Sequence, residues 1–139
     1  MSKTRLPNVR SFLLADAVFQ QKSGKWCIIG VFGKIRAREF PTVQHTMGIY
    51  VQLSDAEGDY EVKLELRSAE EKVLAALEGI KLRVDSRLTQ VDFGFQAYRL
   101  PIPEAGAYHF RMYFNGVPAI EDLVFEAEQL PAAPPQAQG

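Results

Sequence analysis

The chain has 139 residues, 47% apolar and 24% charged, the size and balance of one globular domain that buries a core without disulfide or metal staples. A formal net charge of −1 excludes a frankly basic protein, and a single cysteine, Cys27, excludes an intramolecular disulfide. No run of roughly 18 apolar residues occurs, so the sequence contains no membrane-spanning helix.

Residues 1–9 read as an N-terminal extension. The apolar run that follows, "SFLLADAVFQ", is broken by Asp16 and has no cleavage site after it, so mature cytoplasmic protein is expected. An acid in that setting pairs with Lys25 or Lys34 on a neighbouring strand, or sits at a bulge, since an unpaired buried carboxylate is costly. From Ser23 to Phe40 the chain reads "SGKWCIIGVFGKIRAREF", holding the only Trp and the only Cys. Trp26, Ile28, Gly30 and Phe32 alternate with Cys27, Ile29, Val31 and Gly33, so neither face of the strand is polar. That pattern predicts a central strand covered twice, or one abutting a partner, with Cys27 as an inert small hydrophobe. Lys34, Arg36 and Arg38 then project to one side, opposite Ile35 and Ala37. They form a candidate binding strip for an acidic partner, phosphate or nucleic acid. The competing reading is a solvated face neutralised by an acidic strand such as the one carrying Glu61 and Glu65.

Period-2 alternation continues through "GIYVQLSD" (48–55), with Ile49, Val51 and Leu53 on one face, and "YEVKLELRS" (60–68), with Val62, Leu64 and Leu66. Between them lies an acidic turn with Asp55, Glu57, Asp59 and Glu61, which lacks the ligand pattern of a calcium loop. "SAEEKVLAALEG" (68–79) dissents: Ser68, Glu71 and Gly79 are helix start and stop signals. Its place between two alternating strands favours a polar turn leading into a strand, with a short helix near 69–78 as the alternative. Strands follow at "IKLRVD" (80–85), "VDFGFQAY" (91–98) and "YHFRMYFN" (108–115), and Asn115-Gly116 is a hairpin signal. In the last of these Tyr108, Phe110, Met112 and Phe114 face the core, leaving His109, Arg111 and Tyr113 outward as candidate binding residues. "LPIPEAGAYHF" resembles the tyrosine corner of immunoglobulin-like sandwiches, although Phe110 stands where those domains carry a cysteine. Residues 129–139, rich in Pro and Ala, read as a flexible tail. The sum is an all-β fold over residues 10–128: one antiparallel β-sandwich, immunoglobulin-like or jelly-roll-like, of about eight strands.

The stretch from Ala15, "ADAVFQQKSGKWCIIGVFGKIRAREFP", resembles the opening signature of a family of small uncharacterised bacterial proteins. Pro103, Gly106, Tyr108 and Phe110 match that family's closing corner. The resemblance implies a β-sandwich core and supplies no activity.

The chemistry-bearing residues form no catalytic constellation. His45 and His109 are far apart and have no second ligand at metal spacing, and no serine elbow or phosphate loop is present. No enzyme activity, cofactor or metal is therefore expected. Charge is divided unevenly: residues 1–40 hold eight Lys/Arg against Asp16 and Glu39, a balance of +6, while the remainder stands at −7. The expectation is a non-catalytic interaction or assembly module that binds a protein partner or itself through a sheet face or edge. Nucleic acid is set aside because no aromatic is interleaved with Lys34, Arg36 and Arg38, and no membrane association is expected. The alternative is a small-ligand or carbohydrate-binding sandwich lined by Tyr50, Tyr98, His109, Arg111 and Tyr113.

Overall fold

The computed structural model describes residues 5–131. The first four residues of the expected extension and residues 132–139 of the expected tail lie outside them. Ten strands run in chain order: β1 Asn8–Gln20, β2 Trp26–Phe32, β3 Lys34–Ala37, β4 Thr42–Ser54, β5 Gly58–Ser68, β6 Val73–Val84, β7 Val91–Ile102, β8 Gly106–Phe114, β9 Val117–Pro118 and β10 Leu123–Gln129. They form two sheets, ordered β2-β1-β4-β7 and β3-β10-β8-β5-β6, with β9 paired to β8. Among the described residues there is no helix, and the fold is an all-β sandwich.

The alternation explains the core. Met47, Ile49, Val51 and Leu53 of β4 meet Leu64, Leu66, Phe110, Met112 and Phe125 from the other sheet, all almost fully buried. Phe125 stacks with both Tyr108 and Phe110 at 5.6 Å between ring centroids. The Tyr108 hydroxyl donates to the Glu104 carbonyl (2.5 Å) and accepts from the Glu104 N–H (3.1 Å), which makes the corner a true tyrosine corner.

Segment 68–79 is turn and strand. Ser68 does not cap a helix. Its Oγ accepts from the Lys72 N–H and its backbone closes on Glu71 and Lys72, and Glu71 takes φ +68° to complete the reversal. A residue type that caps helices also closes turns, so the local signal was shared between the two. Asn115 and Gly116, at φ +52° and +82°, form the expected hairpin turn between β8 and β9.

The central, doubly covered placement expected for β2 needs correcting. It is an edge strand, hydrogen-bonded to β1 alone. Beyond Ala15, β1 leaves β4, and the β1–β2 hairpin crosses the outer face of its own sheet. Val18 and Trp26 settle over Gly48 and Gly94 beside Tyr50. A side chain at Gly94 would stand 2.5 Å from Val18 Cγ1 and 2.9 Å from the Ile49 carbonyl, so only glycine admits the hairpin. β2 is apolar on both faces because one covers this second core and the other is bare. Cys27 is half-buried, with its sulfur accepting from the Gln21 amide at 3.1 Å, and is not enclosed in the core. Asp16 is exposed, lying over Gly30, and makes no ion pair among the described residues.

Gly94→Ala is expected to destabilise the fold by about 1–3 kcal/mol through overpacking against backbone that cannot retreat. The check is urea unfolding, with a lowered midpoint at unchanged m; an unchanged midpoint would contradict the seating of the hairpin.

Candidate functional site

Two polar surfaces arise from this topology. The first is the outer face of β5 and β8. Register sets Lys63 opposite Tyr113, Glu65 opposite Arg111, and Arg67 opposite His109. Asp122, just before β10, and Glu71, in the β5–β6 turn, close over them from either side. Glu65 is buried, and its Oε1 accepts from Tyr113 Oη (2.7 Å) and from Arg67 Nη2 (2.7 Å) and Nε (3.0 Å). Burial pushes this carboxyl up, but the bonds from Tyr113 and Arg67 outweigh it and hold the pKa at about 2. Arg111 forks onto Asp122 at 2.9 and 3.2 Å, and that bond raises its pKa above the usual arginine value. Its remaining contact is Glu71 at 3.2 Å. His109 Nε2 is buried without a hydrogen bond, 3.4 Å from Glu71 Oε1 and 3.6 Å from Asp122 Oδ2.

Of the outward residues read from sequence, His109, Arg111 and Tyr113 are thus brought together, and each is committed to a neighbour or enclosed by one. Sequence reasoning missed Glu65, Arg67, Glu71 and Asp122, which hold them. Only the alternation of charge along β5 hinted at the lattice. The wider aromatic row does not form: Tyr50 is buried beneath the hairpin and Tyr98 is exposed on β7 in the other sheet. Glu65 is held ionised and Tyr113 already donates to it, so both are engaged within the face. Among the described residues no group of three His, Cys, Asp or Glu is placed to hold a metal.

The second surface is the sandwich edge made by β2 and β3. A single run of chain passes at Gly33 from the edge of one sheet to the edge of the other. β3 pairs in parallel with β10 alone, setting Lys34 beside Glu126 and Arg36 beside Glu128. Lys34 reaches Glu128 (3.4 Å) and Glu126 (3.7 Å), and Arg36 reaches Glu128 (3.4 Å). The strip is therefore partly neutralised by an acidic strand, and that strand is β10 rather than the one carrying Glu61 and Glu65. Arg38, exposed just past β3, has no carboxylate partner among the described residues, nor have Lys22 and Lys25 in the β1–β2 turn. A cleft of about 310 Å³ opens at the crossing, lined by Asp16, Gly30, Lys34, Arg36 and Gln44 among others. No helix of the described residues is long and apolar enough to cross a membrane.

The chain matches, over residues 10–121, the model of a family of unknown function, DUF6941, and belongs to it. No curated protein matches. Among solved structures, the fold is similar to part of the Pseudomonas fluorescens alkylpurine DNA glycosylase AlkC bound to DNA containing an abasic site analog. The match has a TM-score of 0.53 and 11% identity, over 87% of this chain and 30% of that one. At that identity the likeness concerns the fold alone. It nevertheless corrects the partner expectation, which chose a protein partner or self-association and set nucleic acid aside. A sandwich of this kind occurs in a protein captured on DNA.

Glu65 gives the face a pH signature. Its folded pKa of about 2 lies below the ordinary 4.5, so its contribution to stability is complete above about pH 4.5 and lost as pH falls toward 2. Glu65→Gln is expected to cost about 2–3 kcal/mol at pH 7 and to flatten acid destabilisation between pH 4.5 and 2. Urea unfolding across that range checks it; parallel pH profiles for the two proteins would contradict the lattice.

Proposed function

We propose that this member of DUF6941 is a non-catalytic binding module, bacterial and cytoplasmic, that takes nucleic acid along the free β2–β3 edge. One observation carries the reading. Lys22, Lys25, Lys34, Arg36 and Arg38 are strung along one run of chain at an edge with no further strand beside it, and three of the five are unmatched by carboxylates among the described residues. Phosphate oxygens accept from ammonium, guanidinium and unpaired backbone N–H groups alike. The net charge of −1 weighs little, because fields between exposed charges are screened beyond about 8–10 Å at physiological salt. The pairs of Lys34 and Arg36 with Glu126 and Glu128 are exposed and 3.4–3.7 Å long. Such pairs contribute about 0–1 kcal/mol each, little enough for a phosphate to exchange into. The DNA-bound state of the AlkC structure with a similar fold supports the same partner class. The bacterial and cytoplasmic placement rests on the opening signature and on one unpaired cysteine.

Fluorescence anisotropy of labelled oligonucleotides across a salt series tests the reading. The wild type is expected to bind at low salt, with log K falling linearly against log salt. The triple variant Lys22→Glu, Lys25→Glu, Arg38→Glu is expected to bind at least tenfold more weakly, with a slope shallower by about 0.7–0.9 for each phosphate contact removed. An unchanged melting temperature establishes that the variant is folded. Failure of the wild type to bind near 50 mM salt, or an unaltered slope in the variant, would overturn the proposal.

A further inference from the structure

We infer that the nucleic acid taken by this edge is single-stranded, its bases laid on the bare apolar face of the β1–β2 hairpin. The inference rests on the proposed binding along the β2–β3 edge and names the form of nucleic acid that edge takes.

The hairpin has two unlike faces. Val18, Trp26 and Ile28 belong to the second core, against Gly48, Gly94 and Tyr50. The alternate residues point away. Register sets Phe19 against Cys27 and Ala17 against Ile29, which brings Phe19 and Ile29 onto one side; Val31 follows at the margin, opposite Ala15, which is itself buried in the second core. Phe19, Ile29 and Val31 are 47%, 55% and 60% exposed, an apolar strip that nothing in the described chain covers. At the turn joining the two strands stand Lys22 and Lys25, exposed and without carboxylate partners among the described residues.

Apolar surface bordered by unneutralised cations complements a ligand with an apolar face and a phosphate backbone. A single strand offers both, since its unstacked bases present π-faces and its phosphates lie within a side chain's reach of them. A duplex does not: its base faces are consumed by stacking, so Phe19, Ile29 and Val31 gain nothing unless the helix is opened at further cost. Phe19, opposite Cys27 at the turn end of the hairpin, sets an aromatic beside Lys22 and Lys25. The lysines hold the backbone, the apolar strip holds the bases, and recognition is indifferent to sequence because every base has such a face.

The test compares an oligothymidylate with a duplex of equal length by anisotropy, using the whole chain. The wild type is expected to favour the single strand. Phe19→Ala is expected to weaken single-strand binding about tenfold, the scale of one lost base–aromatic contact, while the salt slope and duplex binding stay unchanged. Because Phe19 is exposed, the variant should melt as the wild type does, and Ile29→Ser with Val31→Ser gives an independent second variant. Equal or tighter duplex binding, or single-strand binding untouched by both variants, overturns this inference while leaving the proposed function standing. Absence of binding to either oligonucleotide overturns both. A dimer seen by sedimentation in the wild type and dispersed by Phe19→Ala would also overturn the inference, since a second copy would then cover the strip.

Discussion

One segment, residues 26–37, belongs to both sheets, and the layout of the molecule turns on that crossing. β2 closes one side of the first sheet and, past Gly33, β3 closes the same side of the second. The opposite side is bounded by β7 and β6, which touch one another. Each part of the crossing run is paired on one side only, which leaves a row of backbone donors and acceptors along its other side. Edges of this kind recruit partners or aggregate unless they are blunted by charge, and here the run carries lysine and arginine at both ends.

The two polar surfaces differ in how their charges are spent. On the outer face of β5 and β8, carboxylates of β5 and of the flanking turn and loop neutralise Lys63, Arg67 and Arg111 at 2.7–3.4 Å. Glu65 stays ionised there only because Tyr113 and Arg67 supply what water would have supplied. That lattice is a structural element, and a ligand would have to break it. Along β2 and β3 the carboxylates come from a single strand and reach only the middle of the cationic run. The ends stay open, and an open charge is what an external anion can use.

The alternation of Val62, Leu64 and Leu66 with Glu61, Lys63 and Glu65, and of Tyr108, Phe110 and Met112 with His109 and Arg111, made the sandwich legible, because a half-buried strand has no other way to bury one face. The tyrosine corner and the Asn115-Gly116 turn were legible for the same reason: each is local chemistry with one geometric solution. Ser68 and Glu71 were ambiguous because the same two residues satisfy a helix start and a tight turn. The edge position of β2 could not be read, since apolar residues on both faces mean double coverage in a central strand and a bare strip in this one. Lys34 meets Glu126 and Glu128 across some ninety residues, and Asp122 reaches Arg111 from a loop, so neither partner leaves a local trace. Lys22 and Lys25 read as ordinary turn residues until the hairpin beneath them is seen to project one apolar face outward.

The central claim, that the β2–β3 edge with its hairpin is the binding surface and the β5–β8 face a closed lattice, is tested most directly by amide chemical-shift mapping. Isotope-labelled protein is titrated with unlabelled oligothymidylate at low salt. The expected result is a contiguous set of shifts within residues 19–38, with His109, Arg111 and Tyr113 unmoved. Shifts centred on those three residues, or none at saturating oligonucleotide, would contradict it.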